Sequence, residues 1–119
     1  MSTRAARGAI RVGSDDREAL LSATERLLSN LVERNAIETE DLVSILFTVT
    51  EDLRAAFPAE AARRMGLGKV PLLCAREIDV PGAMPSVVRV LMHFHSDATL
   101  DDVVHVYLDG AESLRDDLA

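Results

Sequence analysis

One cysteine in 119 residues excludes an internal disulfide, and that usage suits a reducing compartment. Tryptophan is absent and aromatic residues make up only 3% of the chain. Positive charge is in deficit, 13 Lys and Arg against 20 Asp and Glu, for a formal net charge of -7. A general surface for nucleic acid or an anionic membrane is thereby excluded. Any anionic ligand has to be met by a local cluster of arginines. The apolar runs fall far short of the roughly 18 to 20 residues of a membrane span, and the N-terminal segment lacks an apolar secretory core. A soluble, cytoplasmic protein is expected. There is no P-loop, no GxGxxG after a strand and no HExxH, so common cofactor chemistry has no motif here.

What is present is 48% apolar residues, enough for a self-sufficient core in one domain over residues 1–119. The stretch Val70-Pro71-Leu72-Leu73-Cys74-Ala75-Arg76-Glu77 is short, mostly apolar and bounded by Gly66, Gly68 and Gly82, so it reads as a buried strand. In a regular strand Leu72, Cys74 and Arg76 face one way, and Leu73, Ala75 and Glu77 the other. Cys74 and Glu77 serve one pocket only if the strand ends or bulges near Ala75 to Glu77.

Thr3 to Val12 reads as a strand carrying Arg7. Asp15 and Glu18 fit a capping box for a helix running to about Arg34, with Leu20, Leu21, Leu27, Leu28, Leu31 and Val32 as its apolar stripe. Thr39 to Asp41 caps a short helical turn into Leu42 and Val43, followed by a strand over Ile45 to Thr50. Pro58 opens a second helix that carries Arg63 and Arg64 and stops at Gly66. Ser86 to His95 is the most strand-like segment, interrupted by Arg89, a cation that burial would oblige to find a partner or a ligand. A turn over Asp97 to Asp102, a last strand over Val103 to Leu108 and a short tail from Gly110 to Leu118 complete the order. It predicts an α+β domain with one mixed sheet and helices on one face. With so few aromatics, the other sheet face is expected to be buried between subunits.

His93 and His95 share a strand face and His105 could approach them, but Cys74 has no partner at metal-ligand spacing, so no metal site is expected. Nor does a nucleophile signature surround Cys74. The remaining constellation is Arg7, Arg63, Arg89 and Arg115 as cations, Glu77 as anion, and Cys74 and Tyr107 as neutral hydrogen-bonding groups. Singly, each arginine reads as a surface charge. Jointly, planar guanidinium forks in an acidic protein suit a small polycarboxylate.

The blocks Arg7-Gly8-Ala9, Thr48-Val49-Thr50-Glu51-Asp52-Leu53, Ala56-Phe57-Pro58-Ala59, Val70-Pro71-Leu72, Cys74 to Glu77, Arg89-Val90, His105-Val106-Tyr107-Leu108 and Leu114 to Leu118 follow one another from residue 4 to the C-terminus. In this order and spacing the chain resembles the trimeric bacterial type of monofunctional chorismate mutase. The resemblance implies a ferredoxin-like or chorismate-mutase-like subunit, a homotrimeric pseudo-barrel with sites between subunits, and no cofactor. It implies rearrangement of chorismate to prephenate in phenylalanine and tyrosine biosynthesis. Residue by residue, it implies that Arg7 grips a substrate carboxylate, Arg89 the ether oxygen and a carboxylate, and Glu77 the ring hydroxyl. Cys74 and Tyr107 would add contacts, Phe57, Ala59, Leu73 and Leu114 would line the pocket, and Arg63 and Arg115 would add positive potential. The strand over Val70 to Glu77 and Arg89 would meet across a subunit boundary.

Two positions depart from the family pattern. Asp116 stands where proline is common, and Glu60 stands where some members have lysine, a charge that Arg64 could balance. The competing reading is a trimeric small-ligand binder or a reactive-intermediate deaminase-like enzyme using the same kind of cleft. A purely structural trimer would have little need of Arg89.

Overall fold

The computed structural model describes residues 1–114. Strand β1 (Ser2–Arg11) leads into helix α1 (Arg17–Arg34), then strand β2 (Leu42–Val49), helix α2 (Ala59–Arg64), and strands β3 (Leu72–Arg76), β4 (Val87–Ser96) and β5 (Val106–Leu108). The five strands form one mixed sheet in the order β3-β2-β4-β1-β5. β4 runs antiparallel to both β1 and β2, while β3 is parallel to β2 and β5 parallel to β1. This is the expected α+β arrangement with a mixed sheet. Its connectivity is not the ferredoxin-like βαββαβ order. Helix α2 carries the chain from β2 to its parallel neighbour β3, a crossover that a two-residue hairpin could not make.

Alternation along the strands decides which face is covered. Ala6, Gly8 and Ile10 of β1, Ile45, Phe47 and Val49 of β2, and Val88, Val90, Met92 and Phe94 of β4 are buried on one side. Leu20, Leu21, Thr24, Leu27, Leu28 and Leu31 of α1 supply the stripe packed against them. Gly8 permits the close approach: a Cβ there would stand 2.9 Å from Leu27 Cδ1, 3.0 Å from Leu31 Cδ1 and 3.2 Å from the Val106 carbonyl oxygen. The far end of α1 is tied to the chain entering β5, because Asn35 Nδ2 donates to Leu31 O and Val104 O, and Asn35 Oδ1 accepts from Val104 N.

Several boundaries differ from the sequence reading. The α1 cap is Asp16, which accepts from Ala19 N at 3.1 Å. Asp15 instead accepts from Arg54 N and Ala55 N at 2.8 and 2.9 Å, pinning the loop before α2. Two adjacent aspartates compete for one cap, and only the neighbouring loop decides between them. The short helical turn is confined to Thr39–Asp41, and Leu42 and Val43 already belong to β2, Leu42 pairing with Phe94 of β4 and Val43 falling at an irregularity in the register before Ser44 pairs with His93. β5 begins at Val106 rather than Val103, since the preceding residues are taken up by a 3-10 turn over Leu100–Asp102 and by Asn35. Helix α2 ends as expected, with Gly66 at φ +84° and Leu67 N donating to Ala62 O, so the last carbonyls are satisfied.

Candidate active site

The sheet face away from the helices carries Ser44, Leu46 and Thr48 of β2, Leu73 and Ala75 of β3, Leu91 and Arg89 of β4, and Arg7 and Ala9 of β1. Arg89 sits in register between Ala9 on one side and Thr48 on the other. β3 ends at Arg76, whose Nη1 donates to Thr50 O and Leu53 O at 2.7 and 2.9 Å. The next residue is fixed by its backbone, Glu77 N donating to Val49 O at 2.9 Å. Its carboxylate then reaches across β2 toward β4. Thr48 Oγ1 donates to Glu77 Oε1 at 2.5 Å, and Arg89 Nε lies 2.9 Å from the same oxygen. That Nε is buried yet off the hydrogen-bonding axis, so its contact with Glu77 is an ion pair rather than an aligned bond. Among the described residues, neither Oε2 of Glu77 nor the terminal nitrogens of Arg89 have a hydrogen-bond partner.

A cavity of about 340 Å³ opens beside this pair, lined by Arg7, Thr48, Glu77, Arg89, Tyr107 and Leu114, with Leu46 and Leu91 as its apolar floor. Tyr107 and Leu114 are seated there by a small apolar cluster around Ala9, Val87 and Ala111. Two arginines, one carboxylate and one phenol over an apolar floor can hold a small dianion and orient a hydroxyl. Arg7 N also donates to His105 Nδ1 at 2.9 Å, which anchors the backbone under the Arg7 side chain.

The other proposed site residues lie elsewhere in the chain. Cys74 is on the helix-covered side of β3 and, with Phe57, lines a second cavity of about 510 Å³ that includes Arg17, Arg54, Glu60 and Arg76. Cys74 and Glu77 therefore stay on opposite faces, because the strand ends without turning one toward the other. Ala59 is buried in α2 at 4% exposure, Arg63 is exposed on the same helix, and Leu73 is exposed on the edge strand; none lines either cavity. Glu77 and Arg89 meet within one chain rather than across a subunit boundary, while Leu72, Cys74 and Arg76 of β3 face away from Arg89. Arg115 lies outside the described residues, as does Asp116.

The charge that balances Glu60 is also not the expected one. Arg17 donates to it twice, at 3.2 and 2.5 Å, and this pairing holds the Glu60 carboxyl below its usual range. Arg64 is taken by Glu18 and Glu25 on α1, which raise it above the ordinary arginine value. His93 and His95 bond to Ser44 and Thr3 respectively, at separate points along the open face, while His105 lies beyond β1. Among the described residues no group of three or more His, Cys, Asp or Glu side chains is placed to hold a metal ion.

At the end of β2, Asp52 accepts from Thr50 Oγ1 at 2.6 Å, Ser86 Oγ at 2.8 Å and Ser86 N at 3.2 Å. These bonds, that from Thr50 first, lower its pKa to about 2. They clasp Ser86 in a left-handed conformation, φ +60°, at the entry to the strand that carries Arg89. In the sequence Thr48 and Asp52 stand out only as members of a block shared with the family. The signal for Thr48 was its parity with Leu46 on β2, opposite to Phe47 and Val49.

Residues 3–118 match the family described as chorismate mutase type I, and the chain belongs to that family. It is 53% identical over 116 residues to chorismate mutase AroH of Thermus thermophilus, covering 97% of this chain and 95% of that protein. It is 40% identical over 120 residues to chorismate mutase AroH of Bacillus subtilis, covering all of this chain and 94% of that one. A solved chorismate mutase from Clostridium thermocellum superposes with a TM-score of 0.91 at 45% identity, over 92% of this chain and 98% of its own. Among the described residues no helix is long and apolar enough to cross a membrane.

Proposed function

We infer that the chain works as a homotrimeric, barrel-like chorismate mutase, with each site joining the open-face cavity of one subunit to the Phe57 and Cys74 cavity of a neighbour. The activity follows from the family: the chain is a chorismate mutase, an isomerase that rearranges chorismate to prephenate on the route to phenylalanine and tyrosine. One domain over residues 1–119, acting in the cytoplasm, completes the reading. The observation that carries the site is the Glu77–Arg89 pair, half-buried over the Leu46 and Leu91 floor with its outer nitrogens and Oε2 unengaged among the described residues. The split of the other proposed contacts onto the opposite side of β3 supports a site shared between subunits, as does the exposure of Leu73 on the open face.

The rearrangement is unimolecular. The ether carbon–oxygen bond breaks as a carbon–carbon bond forms, and it needs no nucleophile and no proton transfer. The enzyme has to hold the enolpyruvyl arm over the ring in a reactive chair, which is work for carboxylate-gripping cations such as Arg7. Negative charge grows on the ether oxygen as its bond lengthens, and a fixed Arg89 guanidinium stabilises that transition state more than the ground state. Glu77 Oε2 is placed to accept from the ring hydroxyl and to oppose positive character developing on the ring. Tyr107 and Leu114 close the side of the pocket.

Purified protein should deplete the ultraviolet absorbance of chorismate with prephenate as product, at a rate indifferent to EDTA. The shared site has its own test, in which chains carrying Arg89→Ala are refolded together with chains carrying Phe57→Asp. Each variant alone should be nearly inactive, and mixed trimers should recover activity by pairing an intact open-face half with an intact neighbour. No recovery from a trimeric mixture would place the site within one subunit. A folded wild-type protein that leaves chorismate untouched would return the cavity to the small-ligand binder reading.

A further inference from the structure

We propose that Thr48 is a positioning residue of the rearrangement, which keeps Glu77 and Arg89 from collapsing into a closed ion pair. The inference rests on the chorismate mutase reading above. A threonine inside a strand is ordinary, since its branched side chain favours extended backbone. Its hydroxyl is what sets this one apart. It donates at 2.5 Å to a carboxylate from beyond the end of the neighbouring strand, not to backbone.

The geometry says what that bond does. Glu77 follows the last residue of β3, and its backbone is fixed through Val49 O, but its carboxylate hangs on a flexible stem. Carboxylate and guanidinium left to themselves prefer the two-point fork, with both oxygens bonded to two nitrogens. In that state the outer nitrogens of Arg89 and the second oxygen of Glu77 would satisfy each other. Here Thr48 Oγ1 and Arg89 Nε converge on the single oxygen Oε1, and the Nε contact is off-axis. The hydroxyl holds the carboxylate one step short of the fork. Oε2 and the terminal nitrogens of Arg89 are thereby left for the substrate in the cavity that all three residues line. The strand register makes the placement possible, since Thr48 lies directly opposite Arg89 on β4 and opposite Ala75 on β3, whose small side chain leaves the Glu77 carboxylate room to cross.

The test is steady-state kinetics on Thr48→Val and Thr48→Ser beside wild type, with thermal melting of each. Valine keeps shape and strand preference and removes only the hydroxyl. Its kcat should fall about tenfold, the scale of one hydrogen bond to a charged group, with KM changing less because the ether-directed contact belongs to the transition state. Serine should restore most of the loss. In a Glu77→Ala background, Thr48→Val should cost almost nothing further, because the residue acts through Glu77. Unchanged kcat in Thr48→Val with an active wild type would overturn the proposal while leaving the chorismate mutase reading intact. So would losses in valine and serine alike that track a fall in melting temperature, or an undiminished loss in the Glu77→Ala background. A wild type without turnover would remove the reading and the proposal together.

Discussion

The two faces of the one sheet are built by opposite rules. Toward the helices, Ile45, Phe47, Val88, Val90, Met92 and Phe94 meet the leucines of α1, and the buried polar side chain, Thr24, satisfies itself by donating to Leu20 O within its own helix. Toward the cavity, polar side chains are interleaved with Leu46 and Leu91, and several of them are answered across the sheet: Ser44 by His93, Thr48 by Glu77, Glu77 by Arg89. Such a layer is a poor way to stabilise a subunit, since removing charges from water costs more than a loosely aligned pair returns. It is a good way to hold fixed dipoles where a substrate develops charge. The covered face is where folding free energy is gained, and the open face is where part of it is committed to chemistry.

Substitutions on the two faces should therefore separate turnover from stability. Arg89→Ala should lower kcat by about a hundredfold to a thousandfold, the scale of removing one preformed electrostatic stabiliser, while circular dichroism and melting remain near wild type. Near-normal turnover in that variant would sink the role given to Arg89. Leu28→Ala on the covered face should do the reverse, costing about 3 kcal/mol in urea unfolding through lost burial and a residual cavity. The folded fraction should keep its turnover number. If the leucine variant loses turnover without losing stability, the division between the faces is wrong.

Asp52 offers a finer cut at the edge between the faces. Its folded pKa of about 2 lies below the ordinary 3.8, so its contribution to stability is fully present above pH 3.8 and is lost as pH falls toward 2. Asp52→Asn should be less stable than wild type at neutral pH, and the gap should narrow across that acid window. A gap that stays constant with pH would mean that shape, not charge, holds Ser86. The smallest effect belongs to a site on neither face. Arg26 donates to Asp109 at 2.5 Å, but their side chains are 56% and 44% exposed, so after solvent screening Arg26→Gln should cost less than about 0.5 kcal/mol, and nothing measurable at high salt.

Much of this was legible in the sequence for a local reason. The leucine spacing of α1, the apolar alternation of β4 and the Gly66 stop report backbone periods that each segment carries in itself. Arg7, Glu77, Arg89, Tyr107 and Leu114 were brought together by the resemblance to a family, and one cavity holds them all. The misses were competitions between neighbours distant in sequence. Asp15 lost the helix cap to Asp16 because residues 54 and 55 claimed it, and Glu60 took Arg17 because Arg64 was already held by α1. No spacing rule could rank those partners.

The sequence by itself determined the elements, which residues alternate on each strand, the absence of a disulfide, and a surplus of negative charge that makes any cluster of arginines meaningful. Only the tertiary structure decided that β3 and β4 flank β2. That order puts Thr48 between Ala75 and Arg89 and brings Glu77 within 2.9 Å of a guanidinium twelve residues further along. Packing of the loop before α2 against β3 also put Phe57 beside Cys74, in one cavity on the far side from that pair. The physical reason is that backbone periodicity is a property of a segment. Partner choice is settled by which surfaces bury together, and so it is a property of the whole chain.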